Sequence, residues 1–264
     1  MTNATVETAF TVAPGGAQGD RIAHITVDNQ RRLNCLNSGV VDALRRAVED
    51  LGASEDVRAI VLTGAGSKSF IGGADLTQLG KLDHDGARVY ITGLHKTCLA
   101  IRNAPQPVIA RVNGFCLGAG LEVAASCDMR VAVDGAVFGM PEVHMGLPSV
   151  IEAALLPGLI GWGKTREILI TGDTFDAAEA LTMGFIQKLV PAADIDAAVE
   201  LWLTSICRAA PKAVTSQKAL MNRWEKTSVA EGVYAGIDAL AAAYDTGEPQ
   251  ARIADFFAAK KAKS

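Results

Sequence analysis

Residues 108–128, VIARVNGFCLGAGLEVAASCD, decide the fold of this chain. An apolar run of strand length at 108–112 is followed by glycines at 114, 118 and 120, which predict a turn. A helix is expected to begin near Gly120, with Glu122 as the only charge in its first turn. Unpaired N–H groups at a helix N-terminus can hold an anion or a developing oxyanion. Glu122 therefore has two interpretations, a catalytic carboxyl or a solvated acid that complements the helix dipole.

The same unit occurs elsewhere in the chain. Strand, glycine-rich turn and helix recur at 57–80 and at 108–127, with residues 64–77 interpreted as a connection without its own strand or helix. Short strands are expected at 129–133 and 136–140. This alternation predicts an α/β fold with largely parallel strands.

The flanking segments complete the predicted architecture. Residues 10–13 and 22–28 indicate a hairpin, and Asn37 or Ser38 is expected to cap a helix that ends near residue 51. After residue 158 the pattern becomes helical, at 163–171, 177–183, 195–208, 211–225 and 229–246. We divide the chain into a core, 1–205, and an Ala-rich helical region, 206–264, for which we predict a role in oligomerisation.

Composition excludes several classes of function. With 264 residues, 49% hydrophobic and 20% charged, the chain is typical of a globular protein, and a net charge of −4 offers no basic face for nucleic acid. The five cysteines show no CxxC spacing, so neither disulfides nor a zinc framework is expected. The start MTNATVETAF is unlike a secretion signal, and no stretch has the ~20 apolar residues of a membrane span. We expect a cytoplasmic protein with no membrane association.

Other motifs are incomplete. GAGSKS at 64–69 and GAGLEVA at 118–124 each contain half of a dinucleotide-binding fingerprint. The four histidines show no HxH or HExxH spacing, so no metal site is expected, and Ser126 and Ser149 lack a GxSxG setting. Nicotinamide, metal and esterase chemistry are therefore all unsupported.

Glu142 is a second candidate acid. It lies in FGMPEVHMGLP, residues 138–148, among the apolar residues Phe138, Met140, Val143 and Met145. An apolar environment disfavours a carboxylate and raises its pKa, which suits a general acid or base near neutral pH. The alternative is a loop acid in water.

Five segments resemble the crotonase, or enoyl-CoA hydratase/isomerase, superfamily, in the order that the family shows. They are DNQRRLNCLN at 28–37, VLTGAGSKSFIGGADL at 61–76, PVIARVNGFCLGAGLEVAASCD at 107–128, FGMPEVHMGLP at 138–148 and TGDTFDAAEALTMGFIQKLV at 171–190. The resemblance implies a spiral of ββα repeats with a C-terminal helical trimerisation region. It also implies a homotrimer or dimer of trimers, an acyl-CoA thioester substrate from fatty acid metabolism, and no cofactor, since coenzyme A is part of the substrate.

The resemblance also assigns a site. Backbone N–H groups of Ala74 and Ala119 would hold the thioester oxygen, although Ala119 stands where the family often has glycine. Glu122 would activate a water for attack at C3, and Glu142 would deliver a proton to C2. Retention of both glutamates favours hydratase chemistry. The alternatives are a coupled hydratase and thioester hydrolase, an isomerase, and an inactive acyl-CoA-binding scaffold trimer.

The implied substrate-binding residues come from three parts of the chain. They are Arg32 and Leu33; Gly72, Gly73, Ala74, Asp75, Leu76 and Gly118; and Phe256, Phe257 and Lys260 of the C-terminal helix, from this subunit or a neighbour. Arg32 has the alternative of a solvated cation, and Asp75 that of a loop or cap residue. Residues 148–161 read PSVIEAALLPGLIG where many hydratases have a glycine-rich segment, and Glu152 within them is an acid to which the resemblance assigns no role.

Overall fold

The computed structural model describes residues 4–261, which form ten strands and ten α-helices. The strands are β1 Thr5–Val12, β2 Arg21–Asp28, β3 Val57–Gly64, β4 Ser69–Ile71, β5 Val108–Val112, β6 Phe115–Leu117, β7 Met129–Val133, β8 Val137–Gly139, β9 Thr174–Asp176 and β10 Lys188–Val190. The helices are α1 Ser38–Gly52, α2 Leu76–Leu79, α3 His84–Asn103, α4 Ala119–Ser126, α5 Leu156–Thr171, α6 Ala177–Thr182, α7 Ile195–Arg208, α8 Pro211–Trp224, α9 Val229–Tyr244 and α10 Glu248–Lys261.

The strands form two sheets. The larger has the order β1-β2-β3-β5-β7-β10, in which β1 is antiparallel to β2 and every other neighbouring pair is parallel. The smaller has the order β4-β6-β8-β9, with only β9 antiparallel to its neighbour. Nearly every residue of β3 and β5 is buried, as expected for parallel strands covered on both faces. The predicted α/β fold is confirmed.

From β3 to β8, consecutive strands alternate between the two sheets. β3, β5 and β7 join the larger sheet, while β4, β6 and β8, which directly follow them, join the smaller one. A helix follows each of the first two pairs, giving the ββα repeats that the resemblance implied. The interpretation of residues 64–77 as a connection was wrong, because this segment contains β4. The predicted turn after β5 likewise contains a strand, β6. Each is three residues long, too short to show a strand periodicity within glycine-rich sequence.

Helix α4 is held tightly at both ends. All eight of its residues are buried, and a Cβ on Gly120 would overlap the backbone oxygen of Ile71 in β4, so only glycine allows this approach. At the other end, the buried Arg130 guanidinium donates to the backbone oxygens of Ala124 and Cys127, at 3.1 and 2.7 Å. A cation there also complements the helix dipole. The N-terminus of α4 is thus fixed against the smaller sheet.

The C-terminal helices pack on this core. The Lys218 ammonium of α8 lies 2.7 Å from a carboxylate oxygen of Asp128, which anchors α8 beside β7. The helix predicted at 163–171 begins earlier, at Leu156, and breaks at Gly161, where φ is 76°. The boundary predicted near 205 lies within α7 and stays a prediction. Within residues 4–261, none of the helices has the length and apolar character that crossing a membrane requires.

Candidate active site

The candidate site is built from the loops that follow three neighbouring strands of the smaller sheet. Ala74 follows β4, Ala119 follows β6, and Glu142 follows β8. Because these strands are parallel and adjacent, their carboxyl ends meet at one edge, so residues distant in sequence come together there. The two sequence-predicted oxyanion donors and one of the two predicted acids therefore occupy equivalent positions in three successive repeats.

The amide groups of Ala74 and Ala119 face away from backbone partners. Leu36 pairs with the Ala74 segment by donating its N–H to the oxygen of Gly73 and accepting from the N–H of Asp75, which turns the Ala74 N–H to the opposite side. Ala119 is the first residue of α4, where an N–H has no acceptor within the helix. Within residues 4–261 neither amide makes a backbone hydrogen bond, so both are available to a ligand oxygen.

Glu122 is a buried carboxyl. Only 4% of the residue is exposed, and its Oε1 accepts a hydrogen bond from the Ala153 amide at 3.3 Å. Burial is the largest cause that raises the pKa of Glu122, the charges of Glu142 and Glu152 raise it further, and the value reaches about 9 against 4.5 for a free glutamate. The interpretation of Glu122 as a solvated first-turn acid is therefore wrong. Burial therefore favours the protonated form of this carboxyl.

Glu142 faces the start of α4. A Cβ on Gly118, the residue before the Ala119 amide, would overlap its Oε1, and φ at Gly118 is +50°, so both space and backbone favour glycine. Its Oε2 accepts a hydrogen bond from the Ser149 hydroxyl at 2.9 Å. Sequence reasoning placed Glu142 in an apolar environment, but it is half-buried, and Val143 and Met145 are exposed. They lie on a 3-10 helix, Pro141–Met145, whose short turn directs them outward.

A third acid lies beside this pair. Glu152 is buried in the 3-10 helix Ile151–Leu155, next to the Ala153 amide that binds Glu122. Its Oε1 is 2.8 Å from the Nδ1 atom of His95 on α3. No signal in the sequence linked His95 to the site, because the two residues are 57 positions apart.

Two of the predicted substrate-binding segments lie together. The Arg32 guanidinium donates to both carboxylate oxygens of Asp75 at 2.9 Å, and the Gly72 amide donates to the oxygen of Leu33 at 2.8 Å. Asp75 also caps α2 by accepting from the Thr77 amide. The buried Asn34, which sequence reasoning missed, fixes the arrangement by donating to the backbone oxygens of Ala65 and Ser69. Arg32 is thus half-exposed and tied to the loop that carries Ala74.

The exposed side chains Leu33 and Leu76 flank this loop and offer apolar surface. The third predicted segment is on α10, which packs along α9; Glu248 at its start accepts hydrogen bonds from the amides of Lys212 and Ala213. Phe256 and Phe257 on α10 are more than half exposed. The predicted contact of Phe256 and Lys260 with coenzyme A stays a prediction.

Comparison with known proteins shows the family of the chain. Residues 17–262 match the family described as enoyl-CoA hydratase/isomerase. The short-chain-enoyl-CoA hydratase of Clostridium acetobutylicum is 34% identical over 205 residues, 77% of this chain and 78% of that protein. The crotonyl-CoA hydratase of Syntrophomonas wolfei is 30% identical over 244 residues, 92% and 94% of the two chains. The crystal structure of an enoyl-CoA hydratase from Bacillus anthracis superposes with a TM-score of 0.88 at 25% identity, covering 97% and 96% of the chains.

The chain belongs to the enoyl-CoA hydratase/isomerase family, and with it to the crotonase superfamily. The family resemblance of the five sequence segments is thereby confirmed.

Proposed function

We propose that this protein is an enoyl-CoA hydratase, which adds water across the C2–C3 double bond of a 2-enoyl-CoA thioester. The observation that carries the proposal is the convergence of two carboxyls on the first turn of α4. The Glu142 carboxyl lies against Gly118, the residue before Ala119. The charge of Glu142 acts on Glu122, which is three residues after Ala119. The hydratase names of relatives in Clostridium acetobutylicum and Syntrophomonas wolfei support the same reaction.

In the proposed reaction, the thioester oxygen accepts hydrogen bonds from the Ala74 and Ala119 amides. The water oxygen attacks C3, the electron pair of the double bond moves through C2 to the thioester oxygen, and a water proton passes to Glu122. Glu142 then gives a proton to C2, and the thioester carbonyl reforms. One such oxyanion donor is typically worth ~3–4 kcal/mol of transition-state stabilisation.

The two glutamates must share one proton for this cycle. Burial favours the protonated form of Glu122, because it raises the pKa of that carboxyl, whereas the proposed role as base requires Glu122 to give up this proton before water attacks. In the proposed cycle the proton passes to Glu142 as substrate and water enter, and Glu142 delivers it to C2. After addition Glu122 holds the proton taken from water, which is its state before the cycle began.

We also propose that coenzyme A binds along the Arg32–Asp75 region, with Leu33, Gly72, Gly73 and Leu76 beside it. The support is structural. These residues adjoin Ala74 in its loop or are hydrogen-bonded to that loop, and the half-exposed Arg32 head group is open to a phosphate. The proposed contribution of Phe256 and Lys260 comes from α10, of this subunit or a neighbouring one.

The test follows crotonyl-CoA and longer or branched enoyl-CoAs by the loss of conjugated enone absorbance, with free thiol trapped in parallel. We expect absorbance to fall without thiol release, and Glu122→Gln and Glu142→Gln each to lower kcat by about 10²–10⁴-fold. The exposed Glu55→Gln is the matched control. Stoichiometric thiol release would show a hydrolase instead. A shifted double bond would show an isomerase. Tight binding of the thioester with no reaction would show a scaffold protein.

The proposed assembly is a homotrimer or a dimer of trimers. An unusual number of large apolar side chains is exposed on α9, and those of Val233, Ile237, Leu240 and Tyr244 follow the spacing of one helix face. A contiguous apolar face of this kind supports burial against another subunit.

A further inference from the structure

A second polar cluster lies behind Glu122, between α3, α4 and the 3-10 helix Ile151–Leu155. The residue at its centre is Glu152, which is 6% exposed. One carboxylate oxygen is bonded to the Nδ1 atom of His95, while the other is buried and has no hydrogen-bond partner within residues 4–261. The His95 side chain is 46% exposed, so the pair links the buried end of the site to solvent.

The 3-10 helix that carries Glu152 also binds the carboxyl of Glu122, through the Ala153 amide. The Ala153 amide is shared between the Val150 oxygen at 3.0 Å and Glu122 Oε1 at 3.3 Å. Ile151, directly before Glu152, has φ of +40°, a backbone conformation that a β-branched residue rarely adopts. Such strain persists only where the surroundings enforce it. The His95–Glu152 bond supplies one such constraint, because it ties this turn to α3.

Most of the titratable groups around Glu152 are acids. The titratable groups around Glu152 are Glu122 from α4, Cys98 and His95 from α3, and Glu142 beyond Glu122 on its own 3-10 helix. Of these groups only His95 can become a cation. A charge on Glu152 therefore acts on the neighbouring Glu122 and raises the pKa of that carboxyl.

We propose that His95 and Glu152 form a positioning pair for Glu122, because the bond between them fixes the turn whose Ala153 amide binds the Glu122 carboxyl. The inference rests on the proposed hydratase function, in which Glu122 must hold and release a proton. The bond to the half-exposed His95 holds Glu152, and with it the turn, in place from the side that faces solvent.

The test uses Glu152→Gln, which keeps the size of the side chain and an acceptor for His95 but removes the charge. We expect KM for crotonyl-CoA to change less than about twofold, because the retained acceptor keeps the turn in place, and the change to appear in the pH dependence of kcat. The apparent pKa in the kcat profile should move about one unit lower, because the lost negative charge no longer favours the proton on Glu122. His95→Phe, which removes the donor, should lower kcat with the same small change in KM.

His84→Phe is the matched control, because His84 and Asp85 form a solvent-exposed pair on the same helix. Urea denaturation confirms that each variant is folded. An unchanged pH profile and kcat in Glu152→Gln, or a loss expressed only in KM, would overturn the proposal.

A second readout does not depend on hydratase activity. In ¹³C-glutamate NMR, the carboxyl signal that Glu122→Gln removes identifies Glu122, and its titration should move to lower pH in Glu152→Gln. If the wild type hydrates no enoyl-CoA but this shift is seen, the proposed reaction fails while the positioning pair stands. If the wild type is active and the signal does not move, the pair fails and the hydratase stands.

Discussion

Replacing Glu122 by Gln should make the protein more stable at neutral and alkaline pH. Burial raises the pKa of Glu122 to about 9 in the folded chain, against 4.5 when exposed. Between these values the unfolded chain releases the proton while the folded chain keeps it. The contribution of this group to folding is therefore fully present below pH 4.5 and is lost as pH rises towards 9, at about 1.4 kcal/mol per pH unit.

At pH 7.5, three units above the unfolded pKa, the accumulated cost is on the order of 4 kcal/mol. Glutamine is neutral at every pH and can still accept the hydrogen bond from the Ala153 amide. Any packing change that the substitution causes is independent of pH, so the slope of the stability difference against pH isolates the ionisation of Glu122.

The assay is urea denaturation of the wild type and of Glu122→Gln at one protein concentration, from pH 5 to pH 8.5. Holding concentration constant removes the contribution of subunit association. We expect the advantage of the variant to grow by about 1.4 kcal/mol per pH unit, whereas Glu55→Gln, at an exposed position, should show no such slope. A difference that stays flat or shrinks with pH would show that Glu122 is ionised in the folded chain and would refute the reasoning.

Two further predictions concern the site and the assembly. Gly118→Ala should lower kcat with crotonyl-CoA by about 10²-fold, because the added Cβ displaces the Glu142 carboxyl; activity within threefold of wild type, with a folded protein, would contradict this. Ile237→Asp, in the exposed apolar face of α9, should lower the mass found by light scattering to that of a smaller species. Lys226→Asp, between α8 and α9, is the control, and an unchanged mass in Ile237→Asp would count against this interface.

The sequence predicted long elements well because their signals are local. The helix after Asn37 has a capping side chain and regular apolar spacing, and α1 begins where that cap predicts. The three-residue strands β4 and β6 carry no such signal, since each is defined by pairing with a strand from another repeat. The helices that were given bounds from the sequence differ from the structure by several residues at most, the largest error being at the start of α5, which lies before the break at Gly161. α2 begins inside the segment interpreted as a connection, and α10 was given no bounds.

Candidate site residues could be named where a motif carried them. The resemblance gave roles to Glu122, Glu142, Ala74 and Ala119, and the structure places the last three at one edge of the smaller sheet, with Glu122 on the helix that begins at Ala119. The burial of Glu122 could not be predicted from the sequence, because it depends on how α4 packs against the rest of the chain. The partners Ser149 and His95 come from segments whose own sequence gives no reason to expect contact with a carboxyl.

The equivalent positions of Ala74, Ala119 and Glu142 in three repeats have an evolutionary consequence. A backbone N–H is supplied by every residue except proline, so the proposed hydrogen bonds to the thioester oxygen survive side-chain replacement in the first two loops wherever the new side chain fits. The proposed chemistry depends instead on side chains, and three of them, Glu142, Ser149 and Glu152, follow β8. On the proposed function, substitutions confined to that one segment can therefore change the reaction without rebuilding the backbone that binds the carbonyl.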